Sequence, residues 1–86
     1  MTIKEEVLAF FAANAKKPIP GETEAERLEC RYLDLGIIDS VGIVKLIMEF
    51  EEKHGIYFDM DYLQSYEFQT ISGLIGIIEQ LMGGKK

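Results

Sequence analysis

The residues best suited to chemistry lie in segment 35–41 (LGIIDSV), where Asp39 and Ser40 precede an apolar, helix-forming stretch. The first turn of a helix presents amide groups without intrahelical acceptors and the positive end of the helix dipole, and both stabilise a phosphate-bearing group. The Ser40 hydroxyl is therefore the group we expect to carry a covalent modification. Serine and aspartate are also common helix caps, so a purely structural role is open for both, with Ser40 as the predicted N-cap.

The helix that must position this serine is predicted to run from Ser40 to Gly55. Lys53 and His54 complement the negative end of its dipole, and Gly55 suits a left-handed stop. Apolar residues recur at the i, i+3, i+4 and i+7 spacing of a helix with one face on a core. They are Ile43, Leu46, Ile47 and Phe50, with Val41, Val44 and Met48 widening the stripe.

A first helix and a long connection precede it. Thr2 and Glu5 form a capping box, and apolar residues at helical spacing continue to about Asn14. Residues 16–39 lack a sustained period and read as a long loop with a short helical turn at 24–28, and loops of this length are often functional. The apolar residues expected to tuck the second half of the loop onto the core are Tyr32, Leu33, Leu35, Ile37 and Ile38.

Two further helices complete the prediction. Asp59 or Asp61 can cap a short third helix through Tyr66, and Thr70 can cap a fourth whose apolar face extends to Met82. No segment shows a convincing strand alternation. The sequence therefore predicts an all-α four-helix bundle with a long loop between helices 1 and 2 and a short helix 3.

Length and charge narrow the functional classes. The 86 residues suit one domain, predicted over 1–82, with a flexible tail at 83–86. A net charge of −6 opposes nucleic-acid binding and favours partners with basic surfaces. The N-terminus lacks an apolar signal core and the apolar stretch 71–82 is too short to span a bilayer, so we expect a cytoplasmic protein without membrane insertion.

Several kinds of site are excluded by residue type. Cys30 is the single cysteine and His54 the single histidine, too few for an internal disulfide or a structural zinc site. Segment 59–70 begins like a calcium loop, but its sixth and twelfth positions are Gln64 and Thr70 instead of glycine and glutamate. No glycine-rich nucleotide loop is present. We predict no metal site and no catalytic residue.

The chain resembles acyl carrier proteins and the related peptidyl carrier domains in three features that follow in order. They are segment 33–41 (LDLGIIDSV), the amphipathic helix with its acidic end, and segment 68–71 (FQTI). The resemblance covers residues from about 28 to 82. It implies a non-catalytic carrier in which Ser40 bears a 4′-phosphopantetheine arm, transferred from coenzyme A by a separate magnesium-dependent phosphopantetheinyl transferase. The arm's thiol would hold acyl intermediates as thioesters, and Asp39 would help the transferase to engage the serine.

The same resemblance implies a partner-binding face on the second helix and an acyl pocket within the bundle. The partners expected are the transferase and acyl-loading and acyl-transfer enzymes with basic docking surfaces. Gly42 and Lys45 stand where many carriers have acids, which predicts a dedicated pathway instead of the general fatty-acid synthase. The partner-binding residues expected are Val41, Gly42, Lys45, Met48, Glu49 and Glu52, and those of the pocket are Ile47, Phe50, Phe68, Ile71 and Ile75.

The sequence is compatible with more than one cargo and with a protein that has no arm. Fatty acyl, polyketide, aminoacyl and D-alanyl carriers share these features. The alternative is a small acidic helical interaction module without a prosthetic group. A transiently docking carrier is expected to be a monomer.

Overall fold

Helices account for the regular structure of the computed structural model, which describes residues 2–83. This confirms the all-α prediction, including the short turn of helix in the long loop. Residues 84–86 of the predicted tail lie outside the described range. The elements are α1 (Ile3–Asn14), α2 (Glu24–Leu28), α3 (Ser40–His54), α4 (Met60–Leu63), a 3-10 helix (Tyr66–Gln69) and α5 (Ile71–Leu81).

Side-chain caps and a glycine stop define the longer helices as predicted. Thr2 and Glu5 form the capping box of α1, and Thr70 accepts a hydrogen bond from the Gly73 amide at the start of α5. Gly55 ends α3 in the left-handed region with φ 65°, where a residue without a Cβ atom avoids steric cost.

The predicted third helix is shorter than expected. Asp59 is its cap, accepting from the Tyr62 amide, and α4 ends at Leu63 instead of continuing through Tyr66. The Ser65 hydroxyl donates to the Tyr62 carbonyl at 2.7 Å. This bond occupies a carbonyl at the end of α4, and the chain starts a separate 3-10 helix one residue later.

Aromatic side chains fill the centre of the bundle. The rings of Phe11 and Tyr32 meet edge to face with centroids 5.0 Å apart, and the hydroxyl of the fully buried Tyr32 donates to the Phe68 carbonyl. α5 packs against both α1 and the 3-10 helix. The buried aromatic residues are Phe10, Phe11, Tyr32, Phe50, Phe58 and Phe68.

Part of the long loop faces solvent. Tyr32 and Ile37 are buried as predicted, whereas Leu33 and Leu35 are 40% and 46% exposed. Consecutive turns explain the difference, because the Leu35 amide bonds the Arg31 carbonyl and the next amide bonds the Leu33 carbonyl. These turns direct the two leucines outward while their neighbours face the core.

Candidate functional site

Ser40 is the first residue of α3 and is exposed. The prediction that it caps the helix is wrong, because Asp39 is the N-cap and accepts from the Gly42 amide at 2.9 Å. An aspartate side chain reaches the amide three residues ahead, so the cap lies one residue earlier than predicted. The Ser40 hydroxyl consequently has no capping bond and faces solvent.

The amides of Gly42 and Ile43 already have acceptors within the chain. Asp39 engages Gly42 through its side chain, and its carbonyl accepts from the Ile43 amide at 2.9 Å. Within residues 2–83, the amides of Ser40 and Val41 donate to no acceptor. The first turn of α3 contains no acidic residue. An anion bonded to Ser40 would therefore meet these two amides and the positive end of the helix dipole.

One oxygen of the Asp39 carboxylate caps α3, and Lys16 binds the other oxygen. The distance from Lys16 Nζ to Asp39 Oδ2 is 2.7 Å, while Oδ1 accepts from Gly42. The hydrogen bond from Lys16 lowers the pKa of Asp39, and the Gly42 amide lowers it further. The carboxylate next to Ser40 is thus charged at neutral pH, and each of its oxygens is bonded to a group of its own chain.

The segment after α1 holds the loop that leads to Ser40. The Lys16 amide donates to the Ile37 carbonyl at 2.7 Å, and Lys17 Nζ donates to the Leu35 carbonyl at 3.3 Å. Ile37 and Ile38 are almost fully buried immediately before the Asp39 cap. The loop that presents the serine is therefore held mainly by the Lys16 backbone bond and by the burial of Ile37 and Ile38.

Gly42, one of the predicted partner-binding residues, is half-buried and packs against Ile38. A Cβ atom at Gly42 would lie 2.3 Å from Ile38 Cγ1, far inside van der Waals contact. Ile38 is 2% exposed and has little room to withdraw. The glycine thus has a packing reason independent of any docking partner.

One face of α3 presents apolar side chains to solvent. Val41, Val44 and Met48 are 75%, 54% and 64% exposed, so the prediction that they widen the core stripe is wrong. Their spacing of three and four residues aligns them on one side of the helix. Val44 is absent from the predicted partner face, although this spacing could have identified it. We call these three residues the α3 apolar stripe.

Charged residues border this stripe. Lys45 is exposed and its Nζ donates to Asn14 Oδ1 at 3.0 Å, which ties it to the end of α1. Glu49 and Glu52 are exposed further along the helix. The positive charge lies near Ser40 and the negative charges lie toward the far end.

The residues predicted to line an acyl pocket lie in the core. Phe50, Phe68, Ile71 and Ile75 are buried, and Ile47 is half-buried. Of these, Phe50 also lines a shallow cleft of about 220 Å³ between α1 and α3. A larger cleft of about 560 Å³ lies between α1, the segment after it and α2, away from all five residues. An acyl pocket at the predicted residues stays a prediction.

Other reactive side chains lie apart from Ser40. His54 Nε2 is 2.8 Å from Glu6 Oε1, at the opposite end of α3 and about 21 Å along the helix axis from Ser40. Cys30 is 8% exposed, and burial raises the pKa of its thiol. Within residues 2–83 there is no cluster of three or more potential metal ligands and no helix with the length and apolar character needed to cross a membrane.

Comparisons with known proteins confirm the resemblance to small carrier proteins. No family model matches the chain. A D-alanyl carrier protein of Leuconostoc citreum is 26% identical over 83 residues, covering 96% of this chain and 100% of that protein. D-alanyl carrier protein 1 of Lactiplantibacillus plantarum is 29% identical over 63 residues, covering 73% of this chain and 79% of that protein. These similarities support a carrier role.

Proposed function

We propose that this protein carries an acyl group as a thioester on a 4′-phosphopantetheine arm attached to Ser40. The observation that carries the proposal is the exposed Ser40 hydroxyl at the first residue of α3. This hydroxyl is not used as a helix cap, because Asp39 caps α3. The similarity of nearly the whole chain to a D-alanyl carrier protein supports the same role.

The chemistry requires one covalent bond to this chain. Ser40 Oγ would form a phosphodiester with the phosphopantetheine group of coenzyme A as it loses its proton, and adenosine 3′,5′-bisphosphate would leave. The arm supplies a terminal thiol for thioester formation. The Ser40 and Val41 amides would favour the phosphodiester by about 0.3–1 kcal/mol, which orients the arm while the covalent bond retains it.

We propose D-alanine as the cargo, ahead of fatty acyl and polyketide groups. The names of both relatives support this choice. A second argument is the aromatic packing of the interior. Buried rings meet edge to face there, and they include those of Phe10, Phe11, Tyr32 and Phe50. A D-alanyl group is small and polar and needs no apolar shelter, whereas a long acyl chain would have to part these rings.

Partner enzymes are proposed to dock on the face of α3 that borders Ser40. The α3 apolar stripe would supply contact area, and the charges of Lys45, Glu49 and Glu52 would orient the encounter. Lys45 near the serine would disfavour strongly basic partner grooves. This arrangement suits dedicated loading and transfer enzymes more than a general fatty-acid synthase.

We also propose that the protein has no catalytic activity of its own. His54, the single histidine, is bonded to Glu6 and lies about 21 Å along α3 from Ser40, too far to accept the serine proton. Transfer chemistry would then belong to partner enzymes in the cytoplasm, where coenzyme A is used.

Intact-mass spectrometry tests the proposal. The protein is incubated with coenzyme A, magnesium and a broad-specificity phosphopantetheinyl transferase, beside a known carrier and the Ser40→Ala variant. A mass gain of one phosphopantetheine group is expected in the wild type and in the known carrier but not in Ser40→Ala. The alternative of an acidic interaction module without an arm would be favoured if the known carrier is loaded and the wild type is not.

Cargo is tested on the loaded protein. Protein purified with its native thioester is expected to show the mass of an alanyl group on the arm. Chiral analysis of the alanine released from that thioester should identify the D enantiomer. A fatty acyl mass would instead contradict the proposed cargo while leaving the carrier role in place.

A further inference from the structure

We infer that Lys16 restrains the loading of Ser40 by holding the Asp39 carboxylate until a transferase displaces it. The inference rests on the proposed function, because it concerns the step in which Ser40 receives its arm. Lys16 lies outside the residues that the sequence pattern connects with the site, 24 positions before Ser40 in the chain.

Each oxygen of the Asp39 carboxylate is bonded to a group of this chain. Oδ1 accepts from the Gly42 amide at 2.9 Å, a bond that belongs to the helix cap and stays in place as long as α3 is folded. Oδ2 lies 2.7 Å from Lys16 Nζ. A cationic group of a transferase that binds the exposed Asp39 carboxylate would therefore meet the Lys16 ammonium at Oδ2 and compete with it for the negative charge.

Lys16 is held beside Asp39 by its own backbone. Its amide donates to the Ile37 carbonyl at 2.7 Å, two residues before the aspartate. This bond fixes the Lys16 backbone near Asp39, so the flexible side chain can re-form the ion pair after it opens. Within residues 2–83, no other cation contacts Asp39 within salt-bridge distance.

The ion pair is weak enough to open. The Lys16 and Asp39 side chains are 64% and 45% exposed, and an exposed pair of this kind changes an equilibrium by about twofold to fivefold. Lys16 consequently weakens the binding of the transferase only modestly, because a docking enzyme can displace it from Asp39. It is a positioning residue, since it acts through Asp39 and makes no bond to the group being transferred.

Steady-state loading kinetics test the inference on the full chain with coenzyme A and a phosphopantetheinyl transferase. Lys16→Met should lower KM for the carrier by about twofold to fivefold with kcat unchanged, because the Lys16 ammonium no longer competes with the transferase for the Asp39 carboxylate. Lys16→Arg retains the charge and should restore the wild-type KM. Lys17→Met is the matched control, since Lys17 is the adjacent lysine but contacts the Leu35 carbonyl instead of Asp39.

A spectroscopic measurement separates this role from a general loss of structure. In NMR titrations, Lys16→Met should raise the pKa of the Asp39 carboxyl group, whereas Lys17→Met should leave it unchanged. Circular dichroism of each variant verifies that the helices are intact.

The outcomes distinguish the inference from the function on which it rests. Equal KM values for wild type, Lys16→Met and Lys17→Met, or a higher KM for Lys16→Met, would overturn the role of Lys16 while leaving the carrier function standing. If the wild type is not loaded while a known carrier is, the proposed function fails and the role of Lys16 fails with it.

Discussion

Glu6 and His54 join the first turns of α1 to the last turn of α3, with His54 Nε2 2.8 Å from Glu6 Oε1. Lys53 Nζ lies 3.0 Å from the same oxygen. The Glu6 and His54 side chains are only 10% and 12% exposed, so solvent screens this contact less than a surface pair. The helix that begins at Ser40 is thereby attached to α1 at its far end.

We expect Glu6→Gln to lower the free energy of unfolding by about 1–2 kcal/mol, because it removes a charged acceptor shared by two donors. Urea unfolding at neutral pH measures the change. Glu79→Gln, an exposed carboxylate on α5, is the control and should change stability by less than about 0.5 kcal/mol. Equal effects of the two substitutions would show that the contact contributes nothing.

The contribution of Glu6 should depend on pH. Burial alone would raise the pKa of Glu6, but hydrogen bonds from Lys53 and His54 outweigh it, and the pKa is lowered from 4.5. A carboxyl group whose pKa is lower in the folded state stabilises the folded protein at pH values above its unfolded pKa. This stabilisation is lost as pH falls through the folded pKa. The stability difference between wild type and Glu6→Gln should therefore shrink between about pH 5 and about pH 3. A difference that stays constant over this range would contradict the assignment.

Gly42→Ala should destabilise the protein although alanine is the better helix former. Its Cβ atom would lie 2.3 Å from Ile38 Cγ1, and overpacking of a core costs about 1–3 kcal/mol. Gly76→Ala is the matched control, because the same substitution within α5 meets no atom within 4 Å and should stabilise by about 0.5–1 kcal/mol. Thermal unfolding of both variants gives the sign directly, and stabilisation by both would rule out the contact with Ile38.

Tyr32→Phe should cost about 1–2 kcal/mol of unfolding free energy, because the buried Phe68 carbonyl would lose its donor. Burial is the main cause that raises the pKa of Tyr32, so the folded state disfavours the phenolate. The folded state therefore becomes less stable as pH rises above about 10, the unfolded value. Tyr57→Phe, at a 71% exposed tyrosine, should change stability little. Similar losses in the two variants would argue against a specific bond.

Lys45→Glu should improve recognition by enzymes with basic grooves. The substitution places an acid where many acyl carriers have one, and we expect turnover by a general fatty-acid synthase to rise about twofold to fivefold. Lys17→Glu makes the same charge change away from the α3 apolar stripe and should have a smaller effect. If wild-type protein and a housekeeping carrier are already turned over equally, the proposed dedication to other partners is wrong.

Local signals were enough to predict most helix boundaries. The Thr2 capping box, the Thr70 cap and the Gly55 stop depend on residues within a few positions of each other, and all three were predicted correctly. The choice between Asp39 and Ser40 as cap was wrong by one residue, since either side chain can accept a first-turn amide.

Features that depend on the three-dimensional path of the loop before α3 were missed. Leu33 and Leu35 have apolar side chains but face solvent because of the turns around them. The Lys16 contact joins residues 23 positions apart, and no periodic pattern predicts such a pair. The packing reason for Gly42 likewise required knowing where Ile38 lies.

The burial of Cys30 has a practical consequence for chemical labelling. Thiolate is the species that alkylating reagents attack, and the raised pKa and 8% exposure of this single cysteine both suppress its reaction. A solvent-exposed arm on Ser40 would present a second, far more accessible thiol. Maleimide dyes or affinity tags should therefore attach selectively to protein that bears the arm with a free thiol, without first replacing the native cysteine.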